Sequence, residues 1–372
     1  MKNIKVLIVA GARPNFMKVK PLMREITEYN AQRAHDALMV HILLVHTGQH
    51  YDENMSDVFF RELNIRQPDI NLGVGSGSHA VQTAHVMIGF ETVCEQGKPD
   101  WVVVVGDVNS TMACTLVCAK KGIRVAHIEA GLRSYDRTMP EEINRLVTDA
   151  LADLLLTPSE DANENLIREG ISRDKIKFVG NIMIDSLLEN LAKARASRIL
   201  SQFRLDPGRF VYVTLHRPAN VDGQSSLSAI MTILEKLSQR LPVVFPIHPR
   251  TRKMLSEFGL TPRSNSRLLL LEPIGYHDSL CLAENARLVI TDSGGLQEEA
   301  TFFRTPCLTL RPNTERPITI TLGSNRLTKL ERLLDDVHDA LNGPERKGQV
   351  PPLWDGHTAE RTLRHLLATS SE

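Results

Sequence analysis

The strongest constraint in this sequence is an end-to-end alternation of short, uninterrupted apolar runs with segments of helical period. The runs are Ile4–Ala10, Met39–Val45, Trp101–Val105, Val125–Ile128, Leu154–Leu156, Phe178–Val179, Phe210–Leu215, Val243–Ile247, Leu268–Leu271, Leu288–Ile290 and Cys307–Leu310. They stay apolar at successive positions, which suits strands covered on both faces and hence parallel sheets. Between them lie helical segments, including Pro21–Glu28, Val81–Glu95, Glu141–Leu155, Leu227–Gln239 and Leu296–Phe303. Repeated βαβ units of this kind build an α/β protein, most economically two doubly wound parallel sheets. The break falls near residues 175–205, where the charged, helix-forming stretch Leu187–Leu205 ends in Asp206-Pro207-Gly208 before a fresh strand. The expected domains are therefore 1–178 and 179–356. An amphipathic helix, Thr358–Leu367, lies in the remaining 357–372 segment, which is expected to pack back on the first domain.

Composition narrows the function. The chain has 372 residues, and its 44 Lys+Arg balance 44 Asp+Glu. A nucleic-acid binder relies on surplus basic charge to neutralise phosphates, so no nucleic-acid partner is expected. The five cysteines (Cys94, Cys114, Cys118, Cys281, Cys307) include no CxxC pair and no partner at zinc spacing. They read as reduced, buried thiols, and no metal is expected. The apolar run at the start is too short for a secretory signal, and no stretch approaches the roughly 20 residues that span a bilayer. A cytoplasmic protein without membrane contact is expected.

The polar residues cluster where strands end. Gly11-Ala12-Arg13-Pro14-Asn15-Phe16-Met17-Lys18 follows the first strand; Thr47-Gly48-Gln49-His50, Gly106-Asp107, His127-Ile128-Glu129, His216-Arg217, His248-Pro249-Arg250 and Thr291-Asp292-Ser293-Gly294-Gly295 follow others. In open α/β sheets ligands bind beyond the carboxyl ends of the strands, so these residues predict a polar cleft between two sheets. Thr291–Glu299 passes from strand to helix. Its two glycines and helix N-terminus suit a phosphate, although the same residues also make an ordinary helix start. On the phosphate reading, a bulky residue at Gly294 is expected to weaken phosphate binding with little effect on stability. Gly75-Ser76-Gly77-Ser78-His79-Ala80 fits GxGxxA but follows only a weak segment, and the first βα turn carries Arg13-Pro14, so nicotinamide binding is not expected. Neither GxxxxGK[ST] nor HExxH occurs. Pro140-Glu141-Glu142 opens a helix with favourable first-turn acids, and Glu142 reads as a surface acid. Asp107 and Glu129 have no such local explanation. His127 lies deeper on the Glu129 face and reads as a packed histidine.

Together these motifs resemble the non-hydrolysing UDP-N-acetylglucosamine 2-epimerases over nearly the whole chain. The resemblance rests on Gly11–Pro14 with Lys18, Gln49-His50, Gly106-Asp107, His127–Arg133, Pro140–Arg145, His216-Arg217, Thr291–Glu299 and Thr314-Glu315-Arg316-Pro317. It implies two Rossmann-like domains facing a cleft, as in GT-B glycosyltransferases, with acid–base groups in the first and UDP in the second. It implies a UDP-2-acetamido sugar as substrate, no cofactor and a homodimer. By motif, Asp107, Glu129, Glu141 and His216 would be catalytic, although orientation of substrate by Glu129 fits equally. Arg13, Lys18 and His248 would bind substrate; Ser293, Gly294 and Gly295 would hold the diphosphate. Glu299 would take the ribose hydroxyls, and Arg316 would close on the nucleotide. The chain departs from many members at Asn15, where they carry an acid, and at Ser279, where some carry the aromatic that stacks on uracil. A hydrolysing 2-epimerase, an epimerase of 2,3-diacetamido UDP-sugars, a GT-B glycosyltransferase and a non-catalytic nucleotide-sugar sensor are the alternatives.

Overall fold

The computed structural model describes residues 3–34, 37–48, 65–263, 266–343 and 348–370. The chain forms two units, Met1–Ser186 with Pro352–Glu372, and Leu187–Pro351. The division falls later than residue 178 because the helix Ile182–Arg195 begins in the first unit. There the Asp185 carboxylate accepts the Thr358 and Ala359 N–H groups at 3.2 and 2.7 Å, starting the last helix, Thr358–Ser370. That helix packs on the helix Arg13–Gln32, and the Trp101 indole N–H donates to Ser370 at 2.9 Å.

The first unit is a sheet of order β3-β2-β1-β4-β5-β6-β7. Its strands are β1 (Asn3–Ala10), β2 (Met39–His46), β3 (Ile70–Asn71), β4 (Trp101–Val105), β5 (Arg124–Ile128), β6 (Leu154–Thr157) and β7 (Ile176–Phe178). The second has the order β10-β9-β8-β11-β12-β13. It consists of β8 (Val211–Thr214), β9 (Val243–Pro246), β10 (Leu268–Leu271), β11 (Leu288–Thr291), β12 (Cys307–Leu310) and β13 (Asn325–Thr328). Every pairing is parallel, and in each unit the strand order reverses beside the first strand, between β1 and β4 and between β8 and β11. These are the topological switch points at which such sheets bind ligands.

The apolar runs behave as the doubly covered strands they predict. All five residues of β4 are buried. In the second unit, Val211 and Val213 pack with Leu227, Ile230 and Leu234 of the helix Gln224–Ser238 on one face. Tyr212, between them in sequence, packs with Leu282 and Ala300 on the other.

Two expectations are corrected. The first helix spans Arg13–Gln32, with Pro14 in its first turn and Pro21 inside it, so Pro21 does not mark its start. The helix expected through Leu155 is Pro140–Leu151: Ala152 is extended at ψ 149° and Leu154 begins β6. The edge strands β3 and β13 carry too little apolar character to be read as runs. Among the described residues no helix is long and apolar enough to cross a membrane, and no group of three or more His, Cys, Asp or Glu is arranged to hold a metal. All five cysteines are buried and unbridged.

Candidate active site

In the first unit, the loops beyond β1, β4 and β5 converge at the switch point. Asn15 ties two of them: its Oδ1 accepts the Gly11 and Ala12 N–H groups at 3.1 and 2.8 Å, and its Nδ2 donates to the Val105 carbonyl at 3.3 Å. An amide here both accepts and donates, which a carboxylate cannot do. Beyond β5, Glu129 is buried with φ +71°, a left-handed backbone that costs a residue with a Cβ about 1–3 kcal/mol. Its Oε2 takes the Lys18 ammonium at 2.5 Å, while its Oε1 is buried without a protein hydrogen-bond partner. Lys18 is thus turned onto Glu129, and Gly106 lies against both side chains. The Arg13 side chain, Gln49 and His50 lie outside the described residues.

Asp107 is half-buried and ion-paired with Arg145. Arg145 also donates to Glu142 through Nε at 2.9 Å and Nη2 at 2.7 Å. The reading of Glu142 as a surface acid is therefore wrong: it is 1% exposed, and it accepts the Ser134 and Tyr135 N–H groups at 3.0 and 2.9 Å. Burial raises its pKa, but these donors and Arg145 bring it below the usual carboxylate value. Asn144 donates to the Asp107 carbonyl at 2.8 Å and to Asn109 at 3.2 Å, and Asn109 donates to Gln82 at 2.8 Å. Glu141 instead stays exposed. It lines, with Asp107, His79, Gln82 and Asn144, a cavity of about 310 Å³. The sequence Glu141-Glu142-Ile143-Asn144-Arg145 thus sends one acid to the cavity and three polar residues inward to hold Asp107.

In the second unit, Asp292 directly follows β11, fully buried beside the end of β8. It accepts the His216 and Arg217 N–H groups at 3.0 and 2.9 Å, the Asn220 amide at 2.9 Å, and lies 3.0 Å from His216 Nδ1. Burial pushes its pKa up, but His216, Asn220 and Arg217 hold it low, so it is an ionised orienter of the half-exposed His216 ring. The His248 ring is centred 5.6 Å away, and desolvation, His216 and Arg250 hold its pKa below the usual value. His248 Nδ1 also accepts the Arg250 N–H at 3.2 Å, capping the helix Pro249–Glu257.

The helix Gly294–Phe303 starts after Ser293 with no side-chain cap, so its first N–H groups point out of the helix unclaimed by Ser293. The two glycines differ. A Cβ on Gly294 would sit 2.8 Å from Arg316 Nη1 and 3.1 Å from Glu315 Oε1, whereas one on Gly295 would meet nothing within 4 Å. The expectation that only a ligand needs the space at Gly294 fails, because Arg316 fills it. Arg316 is buried, with Nε 2.8 Å from Glu298 and Nη1 on Glu315. Burial alone would raise Glu315, but Arg316 and Arg311 hold it far below the carboxylate range. One turn on, Glu299 is buried against the Tyr276 hydroxyl, and burial pushes its pKa up to about 8. Ser279 faces inward, 2.8 Å from the Tyr212 hydroxyl.

Sequence reasoning missed Asp292 and Arg145 as site residues. The signal for Asp292 is an acid directly after β11, the strand that pairs with β8, which His216 follows.

A profile of the UDP-N-acetylglucosamine 2-epimerase family matches residues 32–367. The UDP-N-acetylglucosamine 2-epimerase of Methanocaldococcus jannaschii is 42% identical, covering 98% of this chain and 99% of its own. The UDP-2,3-diacetamido-2,3-dideoxy-D-glucuronate 2-epimerase of Pseudomonas aeruginosa is 39% identical, covering 88% and 89%. A crystal structure of the M. jannaschii UDP-GlcNAc 2-epimerase in complex with UDP-GlcNAc and UDP superposes with a TM-score of 0.87 at 41% identity, covering 98% of this chain and 100% of the other.

Proposed function

The chain belongs to the UDP-N-acetylglucosamine 2-epimerase family, and from that premise we propose that it interconverts UDP-N-acetylglucosamine and UDP-N-acetylmannosamine by inverting C2 without releasing free sugar. No carbonyl neighbours C2, so its hydrogen is not acidic in the ground state. The C1–O bond breaks first, with its electron pair leaving on UDP. The oxocarbenium character at C1 acidifies C2–H, a carboxylate takes that proton, and a 2-acetamidoglucal remains. Protonation of C2 from the other face and re-addition of UDP oxygen at C1 complete the epimer. Protons and charge balance without an oxidant.

The observation that carries this reading is the Glu129 carboxylate. It is buried and locally strained, with one oxygen held by Lys18 at 2.5 Å and the other without a protein partner. Folding leaves an acceptor of this kind unsatisfied at a cost, and a substrate group supplies the missing contact. Asp107 and Glu141 share one cavity and provide acid and base on a second side. In the second unit, His216, oriented by Asp292, serves the leaving diphosphate. The open N–H groups at Gly294 and Gly295 neutralise it, with Ser293 beside them. Glu299 takes the ribose, and His248 and Arg13 complete substrate binding. Arg316 acts on the nucleotide from the wall it forms behind Gly294.

The enzyme acts as a homodimer in the cytoplasm, supplying an activated mannosamine for polysaccharide synthesis. Five buried, unbridged cysteines fit a reducing compartment, and Val81 and Ile88, 50% and 68% exposed on one helix, offer an apolar contact face. Incubation with UDP-N-acetylglucosamine, resolved by anion-exchange chromatography, tests the reaction. The proposal expects a two-component equilibrium of UDP-sugars. Accumulating UDP with free N-acetylmannosamine would reveal a hydrolysing enzyme. Turnover only of a 2,3-diacetamido uronic substrate would align the chain with its P. aeruginosa relative.

A further inference from the structure

The first unit contains a buried polar chain that the acid–base reading leaves unused. His127, in β5, is completely buried. Its Nδ1 lies 2.6 Å from Asp149 Oδ1, and its Nε2 lies 2.8 Å from the carbonyl oxygen of Gly106, where it donates. Asp149 is enclosed as well. Its Oδ2 accepts the Gly131 N–H at 3.0 Å and faces Arg133 Nη1 at 2.7 Å, and Arg133 runs on to Glu169 at 2.6 Å. Burial alone would raise the Asp149 pKa; His127 and Arg133 hold it low, so it stays a carboxylate that can accept all three bonds.

Both groups that this chain touches are backbone atoms of turns that carry proposed acids. Gly106, at φ +70°, directly precedes Asp107, and its N–H donates across to the Ile128 carbonyl at 3.1 Å. Gly131 ends the Glu129-Ala130-Gly131 turn. There φ is +80°, and a Cβ would sit 2.4 Å from the Ala162 carbonyl oxygen, so the chain has one way to pass. Arg145 and Asn144 hold Asp107 from its carboxylate and its own carbonyl. His127 supplies the third tether, on the preceding carbonyl. Packing alone asks only for an apolar side chain in this volume, and a buried ion pair is weak evidence of stabilisation in itself. The ring's second bond, to the carbonyl that directly precedes Asp107, is what packing does not ask for.

We infer that His127, oriented by Asp149, is a positioning residue for the epimerisation, fixing the Gly106–Asp107 turn through its Nε2–H and, through Asp149, the Glu129–Gly131 turn. This rests on the proposed role of Asp107 and Glu129 as acid–base groups. Two substitutions separate the ring's bonds. His127→Asn keeps a donor near the Nδ1 position and loses the bond to Gly106; His127→Gln keeps a donor near the Nε2 position and loses the bond to Asp149. Displacing a reacting group by about 1 Å costs on the order of 10²-fold in rate. His127→Asn is therefore expected to lower kcat about 10²-fold, with KM and UDP affinity within twofold of wild type, by roughly the spread of ordinary surface changes. His127→Gln is expected to recover most of kcat, because Asp149 still accepts the Gly131 N–H and still pairs with Arg133 when the ring is gone. Hydrogen exchange over residues 104–110 is expected to quicken in His127→Asn, and over 288–303 to stay unchanged. A folded His127→Asn with normal kcat would overturn the inference. So would equal losses in both variants with a matching fall in Tm, which marks a plain core histidine. If His127→Asn does not fold, normal exchange over residues 104–110 in a folded His127→Gln supports the Gly106 tether, and quickened exchange there refutes it. Should the wild-type protein fail to epimerise any UDP-sugar while exchange still quickens in His127→Asn, the acid–base reading falls and the tether stands.

Discussion

The two glycines that open the helix Gly294–Phe303 make a paired test of diphosphate binding. Gly294 is packed: an added Cβ would lie 2.8 Å from Arg316 Nη1, and that guanidinium is pinned by Glu298 at 2.8 Å and by Glu315. Forcing it aside is overpacking, which costs about 1–3 kcal/mol. Gly295 is open, with nothing within 4 Å of an added Cβ, and its φ is not left-handed. Gly295→Ala therefore keeps the fold and gains up to about 1 kcal/mol by restricting the unfolded chain. For a ligand the order reverses in clarity. A methyl group at Gly295 stands in the open space before the helix N–H groups. Losing one or two charge-assisted hydrogen bonds, each worth about 1.5–3 kcal/mol, weakens UDP by roughly 10- to 10³-fold or more, since each 1.4 kcal/mol is tenfold. Thermal melts read the fold, and titration calorimetry with UDP and with pyrophosphate reads the site. The expected result is a lower Tm for Gly294→Ala, and an unchanged or higher Tm with both ligands weakened for Gly295→Ala. Wild-type affinity in Gly295→Ala would return this turn to an ordinary helix start, and wild-type stability in Gly294→Ala would refute the packing argument.

Other outcomes follow from the same geometry. Asp292→Asn removes the charge that orients His216, and kcat is expected to fall about 10²-fold with a smaller loss of UDP affinity; equal activity would leave Asp292 a structural acid. Asp107→Asn, Glu129→Gln and Glu141→Gln are each expected to lower kcat about 10²-fold or more by steady-state assay, and normal turnover in Glu141→Gln would return that exposed residue to a helix-start acid. Glu299, with its pKa raised to about 8, binds more protons folded than unfolded, so its contribution to stability is full below the ordinary value of 4.5 and falls as pH rises through 8. The difference in unfolding free energy between wild type and Glu299→Gln is expected to slope across that window, and a flat difference would show Glu299 ionised throughout. Glu142, Asp149, Asp292 and Glu315 are depressed in the fold, so the stability they supply is present above their unfolded values and is lost as pH falls below about 4. Acid melts of Glu142→Gln are expected to begin from a Tm already lowered, because the buried Arg145 loses one of its two carboxylate partners and keeps only Asp107.

The fold was largely legible because a doubly covered strand writes itself as consecutive apolar residues. The buried pentad Trp101–Val105 was read to the residue. Strand β13, Asn325-Arg326-Leu327-Thr328, was not, because it lies at a sheet edge where polar side chains reach solvent and buried ones find partners such as Thr309 on Asn325. Strand ends gave the neighbourhoods of Asp107, Glu129, His216 and Ser293 for a related reason: a sheet leaves chemistry to the loops beyond it. What stayed hidden was pairing across sequence. Glu142 has the local pattern of a surface acid in a first helical turn, and only its inward face and Arg145 three residues on reveal it as buried. Gly294 and Gly295 are alike in sequence and differ through Glu315 and Arg316, which come from a separate loop further along the chain.

The proton at C2 is the most direct point of test. Incubating the enzyme with UDP-N-acetylglucosamine in D₂O, and following C2–H by proton NMR, reads the chemistry without a coupling system. Removal of that hydrogen by a carboxylate and its return from solvent require the C2 signal of the UDP-N-acetylmannosamine formed to vanish as deuterium replaces it, with UDP and the 2-acetamidoglucal as the only other species that can escape. Epimer formed with its C2 hydrogen fully retained would contradict the elimination and the roles given to Asp107, Glu129 and Glu141.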